Sequence, residues 1–450
     1  MADLPQSLSQ DAHVTLDDGS TINCIIWADD LVILSESETG LFKLLKDLQT
    51  YSETNQLRIN TKKTKCMIFN KTGRLIRRNF YLGINKLENV KSYKYLGLVF
   101  TPSGEIKSAL DDLRSRALKA YMSLKNKLGT CFKDYVDDTI SLFDTLIKPI
   151  LLYGSDFWGC LKCPKNNPIE NLHMQFCRQL LGVQKNTTNY GVLLELGRIP
   201  LMIEAKCRSI KNWDRIKNKM ANQLLTISHE NSCLEDLNWT KSISNTLSEH
   251  GLQIYYTESE IRNKHIGFLK RANDIFHQNA FSEINDDSSK LRTYSLIKDT
   301  KGREEYLVKI RNTKTRTSLS KFRLSNHKLR IELGRREGIV REERICQICS
   351  EGVEDEIHFL VKCKQYNDLR QPLINLCMES KPQFNYYTDK EKFIFIMKTP
   401  TLIDAMSKFI SNAMTDREIL LEVTKSLQLI VDEVIKKGQT DPTQRNIVLE

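Results

Sequence analysis

The stretch Ile25-Ile26-Trp27-Ala28-Asp29-Asp30-Leu31-Val32-Ile33-Leu34 decides how the chain is read. Two apolar runs, 22–27 and 31–34, flank an acidic pair, and this spacing predicts a buried hairpin that turns at the aspartates. Adjacent Asp pairs also stand at 17–18, 111–112, 137–138 and 286–287, so the apolar flanks, not the pair itself, carry the information. An unpaired charge beside a core is costly, and no basic residue lies close in sequence. A bound cation would remove that cost. Hard carboxylate oxygens suit Mg²⁺, the ion of two-metal phosphoryl-transfer sites. A solvent-facing turn accounts for the same residues, because Asp is a good turn former.

Working outward, Ser35 with Glu38 three residues on predicts a capping box, and Leu41, Leu44, Leu45, Leu48 and Tyr51 recur at helical spacing. Strand-like pieces follow at 66–69, 79–82 and 93–100, giving a small mixed sheet with a helix against it. From Ile106 the spacing turns helical. One stripe is Ile106, Ala109, Leu113, Ala117, Tyr121, Leu124 and Leu128. Another runs through Leu142, Phe143, Leu146, Ile147, Ile150 and Leu151, with a kink expected at Pro149. A third covers 201–216. The stretch 231–289 is the least patterned, with a boundary expected near 285–290. Ile419, Val423, Leu427, Ile430 and Val434 predict a core or partner helix over 402–437.

The whole chain has 450 residues, 40% hydrophobic and 27% charged, an ordinary soluble composition of about three domains by length. Gly 19 and Pro 10 exclude collagen-like and Pro/Gly-rich disordered classes. No apolar run reaches bilayer length, and the N-terminus lacks the basic and apolar regions of a secretory signal. The expectation is an intracellular protein of cytoplasm or nucleus without a membrane partner. Oligomeric state is not legible. Twelve Cys then read as reduced thiols or metal ligands. Net charge is +11, concentrated in two places. Residues 58–78 hold eight basic residues and no acidic one, and 301–350 hold 14 basic against 6 acidic. Such clustering suits a polyanion, most often nucleic acid. Gly-rich nucleotide loops and serine-protease constellations are not evident in the sequence.

Cys346-x₂-Cys349-x₈-His358-x₄-Cys363 has the inventory of a closed Cys₃His zinc site. Chance would produce about 0.02 such clusters in a chain of this composition, against about 0.3 for a lone Cys-x₂-Cys. Cys160-x₂-Cys163 is such a lone pair and reads as structural; the remaining cysteines read as small core residues. Three thiolates and a neutral His leave Zn²⁺ with a formal charge of −1, to which Glu354, Asp355 and Glu356 add. That loop is a poor phosphate binder. The preceding 311–344 stretch is the expected nucleic-acid surface, through Arg316, Lys321, Arg323, Lys328, Arg330, Arg335 and Arg336. The competing reading pairs these cations with Glu332, Glu337, Glu342 and Glu343 along helix faces.

Several motifs share one resemblance. Trp27-Ala28-Asp29-Asp30 resembles the [FYW]-A-D-D signature of reverse transcriptases, and Leu57-Arg58-Ile59-Asn60-Thr61-Lys62-Lys63-Thr64-Lys65 resembles their L-x-x-N-x-x-K-T-K motif. Tyr95-Leu96-Gly97-Leu98-Val99-Phe100 is similar to their Y-L-G hairpin. Leu152-Tyr153-Gly154-Ser155, Glu195-Leu196-Gly197-Arg198-Ile199-Pro200 and 322–370 resemble the C-terminal half of the non-LTR, LINE-type lineage, including its zinc segment. The eight-residue gap before His358 is longer than in retroviral zinc knuckles. The likeness covers most of the chain up to about Arg370.

The resemblance implies an α+β fold. Residues 1–103 would form a partial reverse-transcriptase palm, a small antiparallel sheet plus a helix. Thumb-like helices over 104–160 and a helical linker region over 161–330 would follow. A basic and Cys₃His zinc-binding segment over 331–400 and a helical tail over 401–450 complete it. Asp29 and Asp30 would hold Mg²⁺, Lys63 would be the acid assisting pyrophosphate departure, and Tyr95, Leu96 and Gly97 would grip the primer. An RNA template and a DNA primer or target are the implied partners. The family's third catalytic aspartate and Gln-Gly segment precede its A-D-D hairpin. Asp3-Leu4-Pro5 already resembles the sequence just after that segment, and Asp17 and Asp18 match no catalytic motif. The resemblance thus implies the C-terminal portion of a longer, truncated polymerase, expected to be inactive alone. Two further readings stay open: a non-catalytic nucleic-acid-binding protein with a zinc site, and a non-functional element remnant.

Overall fold

The predicted hairpin forms from strands Cys24–Trp27 and Asp30–Ile33, paired antiparallel with Cys24 opposite Ile33 and Trp27 opposite Asp30. It is covered on one face, not buried on both as expected. Cys24, Ile26, Leu31 and Ile33 pack on a core of Leu4, Leu8, Leu44, Leu45, Leu48, Phe80, Leu82 and Leu87. Ile25 and Trp27 alternate outward and are 40% and 67% exposed. Period-two alternation sends successive side chains to opposite faces, so Asp30 shares the outer face with Trp27.

The structure is a computed structural model that describes residues 3–16, 19–218, 223–234, 238–286 and 289–440. Asp17, Asp18, Asp287, residues 441–450 and the side chain of Val434 lie outside the described residues. Two compact units emerge: Met1–Ser123 with Phe143–Leu172 and Pro200–Ile275, and Leu124–Leu142 with His173–Ile199 and Phe276–Glu450.

In the first unit the expected small sheet is instead five separate two-stranded ladders among the described residues. Four are antiparallel. The fifth joins Lys65–Cys66 to Glu88–Asn89 in parallel. The strands are two to four residues long, too short to extend pairing from one ladder to the next. The helix Glu38–Thr54 carries the predicted stripe, with Leu44, Leu45, Leu48 and Tyr51 buried. Its N-cap is Ser37, whose Oγ accepts from the Gly40 amide at 3.0 Å. Ser35, the expected cap, stands two residues too early and bonds Ser37 instead. The helix Lys107–Leu128 buries Ala109, Leu113, Ala117 and Tyr121 as its stripe predicts. Ahead of Pro149, which has no N–H to give the ladder, the chain takes a π-helical turn over Phe143–Ile147. Phe143 and Ile147 are buried there, while Leu146 is 49% exposed. A second core gathers Cys160, Ile210, Trp213, Ile243, Leu247, Phe268 and Ala272. Cys160 packs in this core, while Cys163 is half-buried.

The stretch 231–289, unpatterned in sequence, contains the helices Asn238–Glu249 and Lys264–Asn285. In the second unit, Thr313–Arg323 packs against the long helix Ile403–Thr440. Met406, Phe409, Ile410 and Ala413 of that helix are buried, whereas Ile419, Leu427, Leu429 and Ile435 are each more than half exposed. Core helix is thus right for its first part only. Among the described residues no helix is long and apolar enough to cross a membrane.

Candidate functional site

The acidic turn is strained where it presents its carboxylates. Ala28 sits at φ +55°, a conformation that two-residue hairpin turns usually give to glycine and that costs another residue about 1–2 kcal/mol. Asp29 and Asp30 are exposed, and among the described residues neither makes an ion pair. The hairpin Tyr93–Tyr95/Leu98–Phe100 brings Tyr95 within electrostatic reach of Asp30. The Tyr95 hydroxyl is buried with no hydrogen-bond partner among the described residues. Its phenol is raised above the ordinary value, by burial first and then by the negative charge of Asp30.

The turn of this second hairpin, Leu96-Gly97, is held from outside. Leu96 and Gly97 have φ +44° and +81°, positive at both central positions as a type I′ turn requires. The Tyr153 hydroxyl donates to the Leu96 carbonyl at 2.8 Å, and the Arg116 guanidinium donates to the Gly97 carbonyl at 2.7 Å. Arg116 also lies 6.0 Å from the centre of the Tyr153 ring. A Cβ at Gly97 would stand 2.9 Å from that ring, and one at Gly154 would stand 2.8 Å from Leu98. Tyr153-Gly154 is therefore a docking pair for the turn. The motif had marked it, but Arg116 carries no local signal and was missed. Lys63 is exposed in a turn after the helix Glu38–Thr54, where its amide donates to the Asn60 carbonyl at 3.0 Å. No hydrogen bond or ion pair joins its side chain to Asp29 or Asp30 among the described residues.

Cys346, Cys349, His358 and Cys363 converge, with their ligand atoms all within 4.8 Å of one another. Tetrahedral zinc with Zn–S of about 2.3 Å places sulfurs about 3.8 Å apart, so the donor set fits a closed site after small movements. The first two ligands sit on a tight turn. The Cys346 amide donates to Gly352 and the Ser350 amide donates to Cys346, with Ser350 and Gly352 at φ +58° and +71°. His358 follows Asp355, whose side chain accepts from the His358 amide at 2.8 Å, and its Nε2 is 3.3 Å from the Cys349 sulfur. The buried Arg370 guanidinium donates to the Cys363 carbonyl at 2.8 Å and to that of Leu360 at 2.9 Å. A hydrogen bond between Cys346 and Cys363 pushes Cys346 up to about 12, helped by burial, and lowers Cys363.

The neighbouring acids are not the free negative loop that was expected. Glu354 is 1% exposed and accepts from two guanidinium nitrogens of Arg417, Nε at 2.6 Å and Nη2 at 2.7 Å. Glu356, fully buried, accepts from Arg292, His327 and Ser325. The expected phosphate-binding surface also needs correction. Arg323 is 4% exposed and pairs with buried Glu195 at 2.6 Å and with Glu304 at 2.6 Å. Arg316 is also buried and donates to the carbonyls of Ile310 and Lys133. Lys328 pairs with Glu418, Arg330 with Glu337 and Arg335 with Glu332. Carboxylates thus take four of the seven expected cations, Arg323, Lys328, Arg330 and Arg335; Lys321 and Arg336 make no ion pair among the described residues, and Arg336 is exposed. The other basic stretch behaves oppositely. Lys65 pairs with Glu88 and Arg78 with Glu38, but Arg58, Lys62, Lys63, Lys71, Arg74 and Arg77 are exposed without ion pairs among the described residues.

Residues 1–100, which contain both hairpins and the basic stretch, match the reverse transcriptase (RNA-dependent DNA polymerase) family. The chain is also 26% identical over 170 residues to an uncharacterized transposon-derived protein of Caenorhabditis elegans. That match takes in 37% of this chain and 58% of the relative's length.

Proposed function

We propose that the chain is part of a retrotransposon-encoded RNA-directed DNA polymerase of the non-LTR, LINE type, its C-terminal portion by the order of its motifs. In this reading it holds an RNA template and a DNA primer or target. The observation that carries it is the Asp29–Asp30 turn with Tyr95 of the second hairpin within electrostatic reach of Asp30, in a unit whose residues 58–78 expose six cations without ion pairs among the described residues. Asp29 and Asp30 would hold Mg²⁺, which when bound supplies Lewis-acid activation of the primer hydroxyl. Tyr95, Leu96 and Gly97 would seat the primer end, Lys63 would meet the departing pyrophosphate, and Cys346, Cys349, His358 and Cys363 would hold one structural Zn²⁺.

Among the described residues no third carboxylate gathers with Asp29 and Asp30. Two carboxylates on one turn do not bracket two metal ions about 4 Å apart. This favours a second reading for the chain by itself, a zinc-containing nucleic-acid-binding protein without chemistry. The test is primer extension on poly(rA)·oligo(dT) with Mg²⁺ or Mn²⁺, alongside crosslinking from a photoreactive primer 3′ end. We expect no extension, and crosslinks within residues 93–100. Extension that vanishes in Asp29→Ala would overturn the inactive reading; crosslinks that avoid 93–100 would overturn the grip.

A further inference from the structure

The last part of the helix Ile403–Thr440 stands clear of the rest of its unit. The first part buries Met406, Phe409, Ile410 and Ala413. Arg417 on buried Glu354 and Glu418 on Lys328 follow. Past them, every residue from Glu422 to Glu433 is exposed, on all sides of the helix. The apolar face does not stop where this packing stops. Met406, Ala413, Leu420 and Leu427 stand at seven-residue intervals, and Val423 and Ile430 lie three residues after the last two. At about 100° per residue, Ile419, Val431 and Ile435 fall on the same side. Ile419, Val423, Leu427, Ile430, Val431 and Ile435 are each about half exposed. The opposite side carries Glu418, Glu422, Lys425, Asp432 and Lys436.

We infer that this stripe is a self-association surface whose occupant is the same stripe of a second copy of the chain. The inference stands apart from the polymerase reading. A short helix is marginal in water and owes its stability to packing of its apolar face, so this stretch calls for a cover. A sustained seven-residue repeat is the period of helices that wind about one another, each seam residue entering a hole between four residues of the facing helix. Self-pairing sets the flanks of the seam against those of an identical helix, where like charges would repel. From 419 to 431 the flanking positions are Ile419, Thr424, Ser426 and Val431, all uncharged, so identical helices meet without that repulsion. The polar side mixes both signs and lacks the basic face that an anionic bilayer or a polynucleotide selects. The stripe offers on the order of 500 Å² per chain, so two copies would bury about 1,000 Å², the size a specific interface needs.

The experiment is sedimentation equilibrium of the full chain, nuclease-treated and in high salt, across a dilution series. The parent should sediment at a multiple of the single-chain mass that falls on dilution. Leu427→Asp with Ile430→Asp should give the single-chain mass at concentrations where the parent associates. Leu429→Asp, at an aliphatic residue 67% exposed on the opposite side of the helix, should leave the parent's mass unchanged. A parent of single-chain mass at every concentration overturns the inference, a result that does not depend on how the variants fold. Association that survives the paired substitution, or that Leu429→Asp abolishes equally, also overturns it. Benzoylphenylalanine in place of Leu427 then identifies the occupant by photocrosslinking, with phosphatidylcholine–phosphatidylserine vesicles present in a parallel sample. Crosslinks between two chains within 419–435 are expected. Crosslinks within one chain, to lipid, or to a second copy outside that helix would overturn the assignment.

Discussion

The Tyr153 hydroxyl reaches across 57 positions of chain to the carbonyl of Leu96, at 2.8 Å. The bond fixes a turn whose backbone is left-handed at two consecutive residues. Removing the hydroxyl in Tyr153→Phe should cost about 0.5–1 kcal/mol, the net worth of one hydrogen bond at a half-open site. Gly97→Ala should cost more, because it adds a strained φ and a methyl 2.9 Å from the Tyr153 ring. Urea unfolding ranks the two; a Gly97→Ala protein as stable as Tyr153→Phe would contradict the docking.

Arg323 should behave as a structural residue. Arg323→Ala leaves the carboxylate of Glu195, itself fully buried, without its cation, and should destabilise the unit by about 3–5 kcal/mol. Lys328→Ala, at a pair that is 70% and 55% exposed, should change stability by less than about 1 kcal/mol. Thermal melts decide it: equal effects would contradict the buried assignment.

The same carboxylate predicts an alkaline limit. Tyr294 and Tyr306 donate to Glu195 at 2.8 and 2.7 Å, and burial followed by that negative charge holds both phenols well above their ordinary value. A raised group gives its full stabilisation below the unfolded value, about 10, and loses it as pH climbs above that. Between pH 9 and pH 11 the urea midpoint of the parent should therefore fall further than that of Tyr294→Phe. Parallel falls would remove these phenols from the account.

Purified whole chain should carry one zinc, and Cys349→Ser should carry well under one. Structural zinc of this kind supplies about 10–16 kcal/mol of apparent binding free energy, so chelation should also lower the melting temperature. Elemental analysis with melting before and after chelator is the measurement. Zinc content that survives the substitution would refute the ligand set.

What was legible in the sequence was what depends on neighbours. The hairpin at Asp29–Asp30, the Y-L-G turn and the spacing of Cys346, Cys349, His358 and Cys363 are all local patterns, and the structure forms each. Partner choice was not local. Arg323 reads as a surface cation until Glu195, 128 positions earlier, is folded onto it. Arg316, four residues beyond Asn312, likewise reads as surface although its donors serve main-chain carbonyls. The helices within 231–289 bury narrow stripes such as Ile243 with Leu247 and Phe268 with Ala272, four residues apart, amid polar residues that hide the period. The cap moved from Ser35 to Ser37 because a cap must directly precede the first helical residue, and only the start of the helix says which serine that is.

The pairing of Glu354 with Arg417 makes residues 331–400 a poor guide to where the expected zinc-binding segment can be cut. Arg417 belongs to the helix Ile403–Thr440, and Glu354 lies between the second and third ligands. A fragment ending at 400 keeps every ligand yet strands a carboxylate that is 1% exposed in the intact chain, beside a Cys346 thiol 3.8 Å away. In the zinc reading, metal loading and the anchoring of the last helix would therefore be coupled: stripping the ion should loosen residues 403–417, and trimming the helix should weaken the grip on the ion.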